Sequence, residues 1–197
     1  MNSSQFVSIA VSAIFVQNLV IVYMLCEGSF FKELKTPTSG ILYGISVTAA
    51  TTLTSVLAWI VNSFLLRPNS LEWLAPFVFI IIIVMLETAA ELIFSKVVPD
   101  KINSLHKLFT ASAFNCAVLG HAFLNIEVNM RGFFGAAFYG FCAGIGYIAA
   151  IIIIANALER IRFSTPPTVF KGLPIALVTT GIISLAFMGF AGITISY

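Results

Sequence analysis

The side chains able to do chemistry in this chain are few, and most fall inside long apolar runs. Cys26 and Cys116 lie 90 residues apart; Cys26 comes eight residues after Asn18, and Cys116 directly follows Asn115. Thiolates hold soft metal centres, and an iron–sulfur cluster usually takes four of them. The chain has three cysteines and no CxxC pair, so it carries neither zinc-finger nor ferredoxin-type spacing. If Cys26 and Cys116 are ligands, a second chain must supply the others. The alternative is an inert small apolar side chain, which is what a buried cysteine most often is. Cys142, within Phe141-Cys142-Ala143-Gly144, is most simply a helix-packing residue.

The remaining candidates are polar groups at positions where an apolar run would reach mid-membrane. Polar side chains there are costly and mark functional sites by default. Gln17 and Asn18 sit in the middle of the first run and Asn115 in the middle of the fourth. Each amide either hydrogen-bonds a neighbouring helix and holds the bundle together, or interrupts its own helix to build a central site. Glu87 and Glu91 are four apart and share a helix face. Glu91 is close enough to Lys96 to reach the interface, whereas Glu87 is one turn deeper and needs a partner or an ion; both are candidates for an ion path. His121 is either a titrating group or, more commonly, a hydrogen-bonded helix contact.

The elements that must position these groups follow from composition. Of the 197 residues 59% are hydrophobic and 9% charged, far below the roughly 25% charged residues of a soluble domain. A net charge of +2 gives no basis for nucleic-acid binding. Nearly charge-free runs predict six transmembrane helices at about 5–26, 39–66, 73–94, 108–126, 132–158 and 172–196. Residues 1–26 contain no Lys or Arg, unlike a signal peptide, so the first run is expected to remain as a span. Loops after the first, third and fifth helices hold Lys32, Lys35, Lys96, Lys101, Lys107, Arg160, Arg162 and Lys171. The other side holds only Arg67 and Arg131, which places both termini outside the cytoplasm.

Three helices followed by three of opposite direction is the layout of an inverted repeat. Asn18 matches Asn115, Tyr43-Gly44 matches Tyr139-Gly140, and Pro76 matches Pro174, at offsets of 97, 96 and 98. The expected architecture is an all-α integral membrane protein forming one transmembrane domain over 1–197. It comprises two inverted three-helix repeats, about 1–100 and 101–197, with helices one and four interrupted.

Several runs are similar to the group of membrane subunits made up of RnfA, RnfE, NqrD and NqrE. They are Asn115-Cys116-Ala117-Val118-Leu119-Gly120 with Ala122-Phe123-Leu124-Asn125, Tyr139-Gly140-Phe141, Pro166-Pro167-Thr168-Val169-Phe170-Lys171-Gly172, and Ser184 to Gly192. The resemblance runs the length of the chain and maps the group's two cysteines onto Cys26 and Cys116, and its third-helix glutamate onto Glu91. It implies a subunit of an ion-translocating complex in a prokaryotic cytoplasmic membrane that moves electrons between ferredoxin and NAD. In such complexes two of these subunits, of opposite topology, share a 2Fe-2S cluster, each giving two thiolates. Outward termini fit the RnfA type, with RnfE as sister and RnfB, RnfC, RnfD and RnfG as further partners. Before Asn115 the group's apolar, proline-containing stretch is replaced by His106 to Phe114.

On this reading Cys26 and Cys116 bind the cluster, and Asn18 and Asn115 shape the interrupted helices beside it. No GxGxxG loop is present, so flavin, ferredoxin and NAD sites belong to other subunits. Two other readings use the same residues. One is an NqrE-type subunit of a Na⁺-translocating NADH:quinone oxidoreductase. The other is a small inverted-repeat transporter using Asn18, Asn115, Glu87 and His121 with no role for cysteine.

Overall fold

A computed structural model of the chain describes residues 3–25, 37–97, 115–127, 132–162 and 172–190. Within them the protein is helical, and each helix is built from one of the apolar runs. Helix α1 is Ser3–Val11 and continues as a wider π-turn over Ser12–Val16. Helix α2, Pro37–Val61, runs through a second such turn, Asn62–Leu66. Helix α3 is Ala75–Val97, entered by a short tight turn at Glu72–Leu74. Helix α4 is Cys116–Glu127, α5 is Gly132–Arg162 and α6 is Leu173–Phe187.

Pro37 opens α2 and Pro174 lies in the first turn of α6, where a missing N–H costs nothing. Among the described residues four stretches are long and apolar enough to cross a membrane: Tyr43–Leu66, Glu72–Ile93, Gly132–Ile161 and Leu173–Phe190. These are the second, third, fifth and sixth expected spans. The first and fourth differ. Their apolar helices, Phe6–Val16 and Cys116–Asn125, are 11 and 10 residues long. At ~1.5 Å per residue that is about half of a ~30 Å hydrocarbon core. The interruption expected in helix one is therefore present at Gln17-Asn18. In the fourth, the helix starts at Cys116, and residues 98–114, including the altered His106–Phe114 segment, lie outside the described residues.

α2 and α5 form the centre of the bundle. Their closeness is set by Gly140 and Gly144, a small-xxx-small pair that lets two membrane helices meet backbone to backbone. A Cβ on Gly144 would lie 2.7 Å from the Thr48 Cα, and one on Gly140 would lie 3.0 Å from the Thr51 carbonyl oxygen. The face of α2 turned inward carries Thr48, Thr51, Thr54, Ser55 and Asn62, all buried. Thr48 and Thr51 donate their hydroxyls to carbonyls one turn back, Gly44 and Thr48, so these polar groups enter the bundle already bonded.

α1 packs on α5, where Gly146 faces the Ile14 backbone, and α4 packs on α2 and α5. α3 leans on α2 and α4, with Phe79 against Phe123. α6 covers α5, and Phe190 beyond its end meets Phe15 of the π-turn after α1. α3 and α6 are peripheral, 17% buried against 44% for α5, and present Phe77, Ile81, Met85, Ile182 and Leu185 outward. Such faces suit lipid or another apolar helix rather than water.

Candidate functional site

The site begins with the break in the first helix. Gln17 donates its backbone N–H to the Ser12 carbonyl and then leaves helical geometry at φ −112°, ψ 39°. Backbone groups freed by such a break must find partners, because hydrocarbon offers none. Asn18 supplies several of them. Its Oδ1 accepts the N–H groups of Val20 and Ile21, both at 3.1 Å. Its Nδ2 donates to the carbonyls of Ile14 and Gly146, both at 2.9 Å. The chain then makes an irregular turn closed by Met24 at φ 53°, with the Leu25 N–H donated back to Leu19.

Asn115 plays the matching part ahead of α4. Its Oδ1 caps the helix by accepting the Ala117 N–H at 2.9 Å, while Nδ2 donates to the hydroxyls of Tyr147 at 2.6 Å and Tyr43 at 3.1 Å. On the other side, Tyr139 donates its hydroxyl to Gln17 Oε1 at 2.6 Å. Thus Tyr43 of α2 meets the amide that heads α4, and Tyr139 of α5 meets the amide beside the break in helix one.

Cys116 is the first residue of α4 and is exposed on the surface of the chain, while Asn115, Ala117 and Val118 around it are buried. The positive end of the α4 dipole and the N–H groups of its first turn lie at this residue, an arrangement that favours negative charge there. Cys26 lies outside the described residues, but Leu25 just before it is against α4: a Cβ on Gly120 would run into the Leu25 Cδ1. The segment leading to Cys26 therefore arrives one turn along the helix that Cys116 heads. Cys142 is buried in the core on α5.

Among the described residues no three His, Cys, Asp or Glu side chains gather as a metal site. What the chain offers at Cys116 is an outward thiol on a rigid helix end, which fits a group completed by ligands from another chain. Glu87 and Glu91 lie half-buried on α3, and Glu87 Oε1 is buried with no hydrogen-bond partner among the described residues. His121 is fully buried, with Nε2 2.7 Å from Ser55 Oγ and its ring stacked on Tyr139 at 4.8 Å. One turn further, Asn125 Nδ2 donates to the Ser55 carbonyl at 3.1 Å. Sequence reasoning missed Ser55 and Asn125. The available signal was the spacing of Thr48, Thr51, Ser55 and Asn62 along one face of an otherwise apolar span.

This architecture defines a class: a multi-pass membrane protein with asparagines at broken or truncated helix ends and an outward cysteine beside one of them. The chain belongs to the Rnf-Nqr family, whose pattern, described as "Rnf-Nqr subunit, membrane protein", matches residues 6–194. It is 36% identical over 190 residues to the RnfA subunit of the ion-translocating oxidoreductase complex of Vibrio parahaemolyticus, covering 96% of this chain and 98% of that protein. The RnfA proteins of Erwinia tasmaniensis and Yersinia enterocolitica are 35% and 36% identical over the same shares. The resemblance to RnfA read from the residues is borne out at this level.

Proposed function

We propose that this chain is a membrane subunit of an ion-translocating oxidoreductase complex of the Rnf type. Together with a sister chain of the RnfE kind it holds a 2Fe-2S cluster inside the bilayer, Cys26 and Cys116 giving two of four thiolates. The observation that carries the reading is Cys116 itself: it heads α4 and is exposed although the residues on either side are buried. A packing cysteine would have been turned inward, as Cys142 is. When bound, the cluster would accept and release one electron at a time. The chain's own residues hold the thiol in place. Asn115 fixes the first turn of α4 against Tyr43 and Tyr147, and the positive end of that helix's dipole lies at the thiol.

On this reading ferredoxin and NAD act at other subunits, RnfB, RnfC, RnfD and RnfG among the partners, in a prokaryotic cytoplasmic membrane. Both termini face away from the cytoplasm, supported by the distribution of Lys and Arg. The chain is one transmembrane domain of two inverted repeats, supported by the parallel roles of Asn18 and Asn115 and the crossed contacts of Tyr43 and Tyr139.

The test is spectroscopic. In the purified complex Cys116→Ser and Cys26→Ser should each abolish the EPR signal of the membrane cluster and lower the iron content, and ferredoxin-dependent NAD reduction should fall with it. Cys142→Ser should keep all three. An assembled Cys116→Ser complex that retains the signal would falsify the ligation.

A further inference from the structure

Asn115 is 1% exposed, and its side chain is bonded on every side. Nδ2 donates to the Tyr147 hydroxyl at 2.6 Å and to the Tyr43 hydroxyl at 3.1 Å, while Oδ1 holds the Ala117 N–H at 2.9 Å. Its backbone carbonyl accepts the Val118 N–H at 3.0 Å. The residue directly before Cys116 therefore closes the first turn of α4 with both its side chain and its backbone. An amide held through one N–H can still pivot about that bond. Held through two, it has one orientation, and the cap it makes has one position.

The two acceptors come from different helices. Tyr43 is on α2 and Tyr147 on α5, and their buried rings lie with centroids 6.3 Å apart. The next residue on each helix brings them together. A Cβ on Gly44 would lie 2.7 Å from Ile148 Cγ1, so α2 comes this close to α5 because position 44 has no side chain. A phenol whose ring is locked in a packed core is a stiff arm. A serine hydroxyl or a backbone carbonyl would satisfy the same amide, but two tyrosines also tie it to the spacing of the central helix pair. α4 begins at Cys116, where N–H groups lack a preceding turn, so that end depends on what its neighbours supply.

We propose that Tyr43 and Tyr147 are positioning residues for the Cys116 thiol: by clamping Asn115 between α2 and α5 they set where that sulfur stands, and with it the potential of the centre it binds. The redox consequence rests on the reading of Cys116 as a cluster ligand; the clamp does not. A firmly held first turn keeps the positive end of the α4 dipole at the sulfur, which favours the more negative, reduced state of a bound centre. Losing either hydroxyl leaves a buried N–H without its acceptor, and the amide then gains by turning away from Ala117. Tyr147, with the shorter bond, carries the larger share.

Tyr147→Phe and Tyr43→Phe each remove one oxygen and keep the ring. In the purified complex, amide hydrogen exchange of the peptide spanning Ala117 and Val118 reads the clamp whether or not a cluster is bound. Redox titration of the membrane cluster's EPR signal reads its consequence. Tyr147→Phe should speed exchange in that peptide about tenfold, lower the midpoint potential and leave the iron content unchanged. Tyr43→Phe should do the same to a smaller degree, and the double variant more than either. Tyr139→Phe is the matched control: it too is buried on α5 and loses a 2.6 Å bond to an amide side chain, that of Gln17, yet exchange at Ala117 and Val118 should stay as in wild type. Unchanged exchange in both single variants would overturn the clamp. So would equal acceleration by Tyr139→Phe, which would mean a general loosening of the core. Faster exchange at an unchanged midpoint potential would overturn the link to the sulfur. A cluster signal that survives Cys116→Ser removes the ligation and the effect on potential with it, while the exchange comparison still judges the clamp.

Discussion

Asn18 and Asn115, one from each half of the chain, donate their side-chain amides to consecutive residues of α5: Asn18 to the Gly146 carbonyl and Asn115 to the Tyr147 hydroxyl. The break in helix one and the head of α4 are therefore pinned at one level of the central helix. The two anchors differ chemically. A carbonyl can only accept, whereas a tyrosine hydroxyl can turn and donate.

That difference predicts unequal effects of the same substitution. Asn18→Asp places a carboxylate against the carbonyls of Ile14 and Gly146, leaves both unpaired by the side chain, and should destabilise by about 3 kcal/mol or more. Asn115→Asp faces the hydroxyls of Tyr43 and Tyr147, which can reorient toward it, and should cost clearly less. Thermal unfolding of the detergent-purified variants ranks them; an equal loss for both would remove the distinction.

Gly144→Val and Gly181→Ala probe the packing in the same way. A side chain on Gly144 meets the Thr48 Cα, which belongs to backbone and cannot swing aside, so α2 and α5 must separate. A loss of about 1–3 kcal/mol or failure to assemble is expected. Gly181 in α6 has nothing within 4 Å of its Cβ position, and alanine there should be neutral or stabilising by up to ~1 kcal/mol. The same unfolding measurement compares them.

Glu87→Gln separates ion movement from electron transfer. With one oxygen buried and unpartnered among the described residues, Glu87 calls for a partner that a passing cation would supply. In reconstituted vesicles the variant should move severalfold fewer ions per electron and keep the cluster spectrum. An unchanged ratio at an unchanged rate takes Glu87 out of the ion path.

Orientation is tested by labelling. Single cysteines near Asn2 and Tyr197, in a background without other accessible thiols, should react with an impermeant reagent outside intact cells, and one at Thr168 should not. Reaction at Thr168 alone inverts the topology.

The spans of α2, α3 and α5, and the start of α6, were legible because nearly charge-free runs of that length have one stable use in a bilayer. The break at Asn18 was legible for a related reason: an amide at mid-run has to bond something, and the nearest unsatisfied groups are backbone. The partners were not legible. Ser55 is 66 and 70 residues from His121 and Asn125, and nothing local in the sequence says that α4 will settle on that turn of α2. Nor could the direction of Cys116 be read, since its exposure follows from which face of α4 the bundle buries.

The closeness of α2 and α5 also bears on how the protein is made. Thr48 is synthesised 96 residues before Gly144, the residue that lets α5 press against it. At ~5–20 residues per second that is roughly 5–20 s during which the inward face of α2, with its threonines, Ser55 and Asn62, has no α5 to cover it. Until the fifth segment leaves the ribosome, those side chains must be sheltered by the insertion machinery or by their own carbonyls. The hydroxyls of Thr48 and Thr51, bonded one turn back within α2, carry that shelter with them from the moment the helix forms.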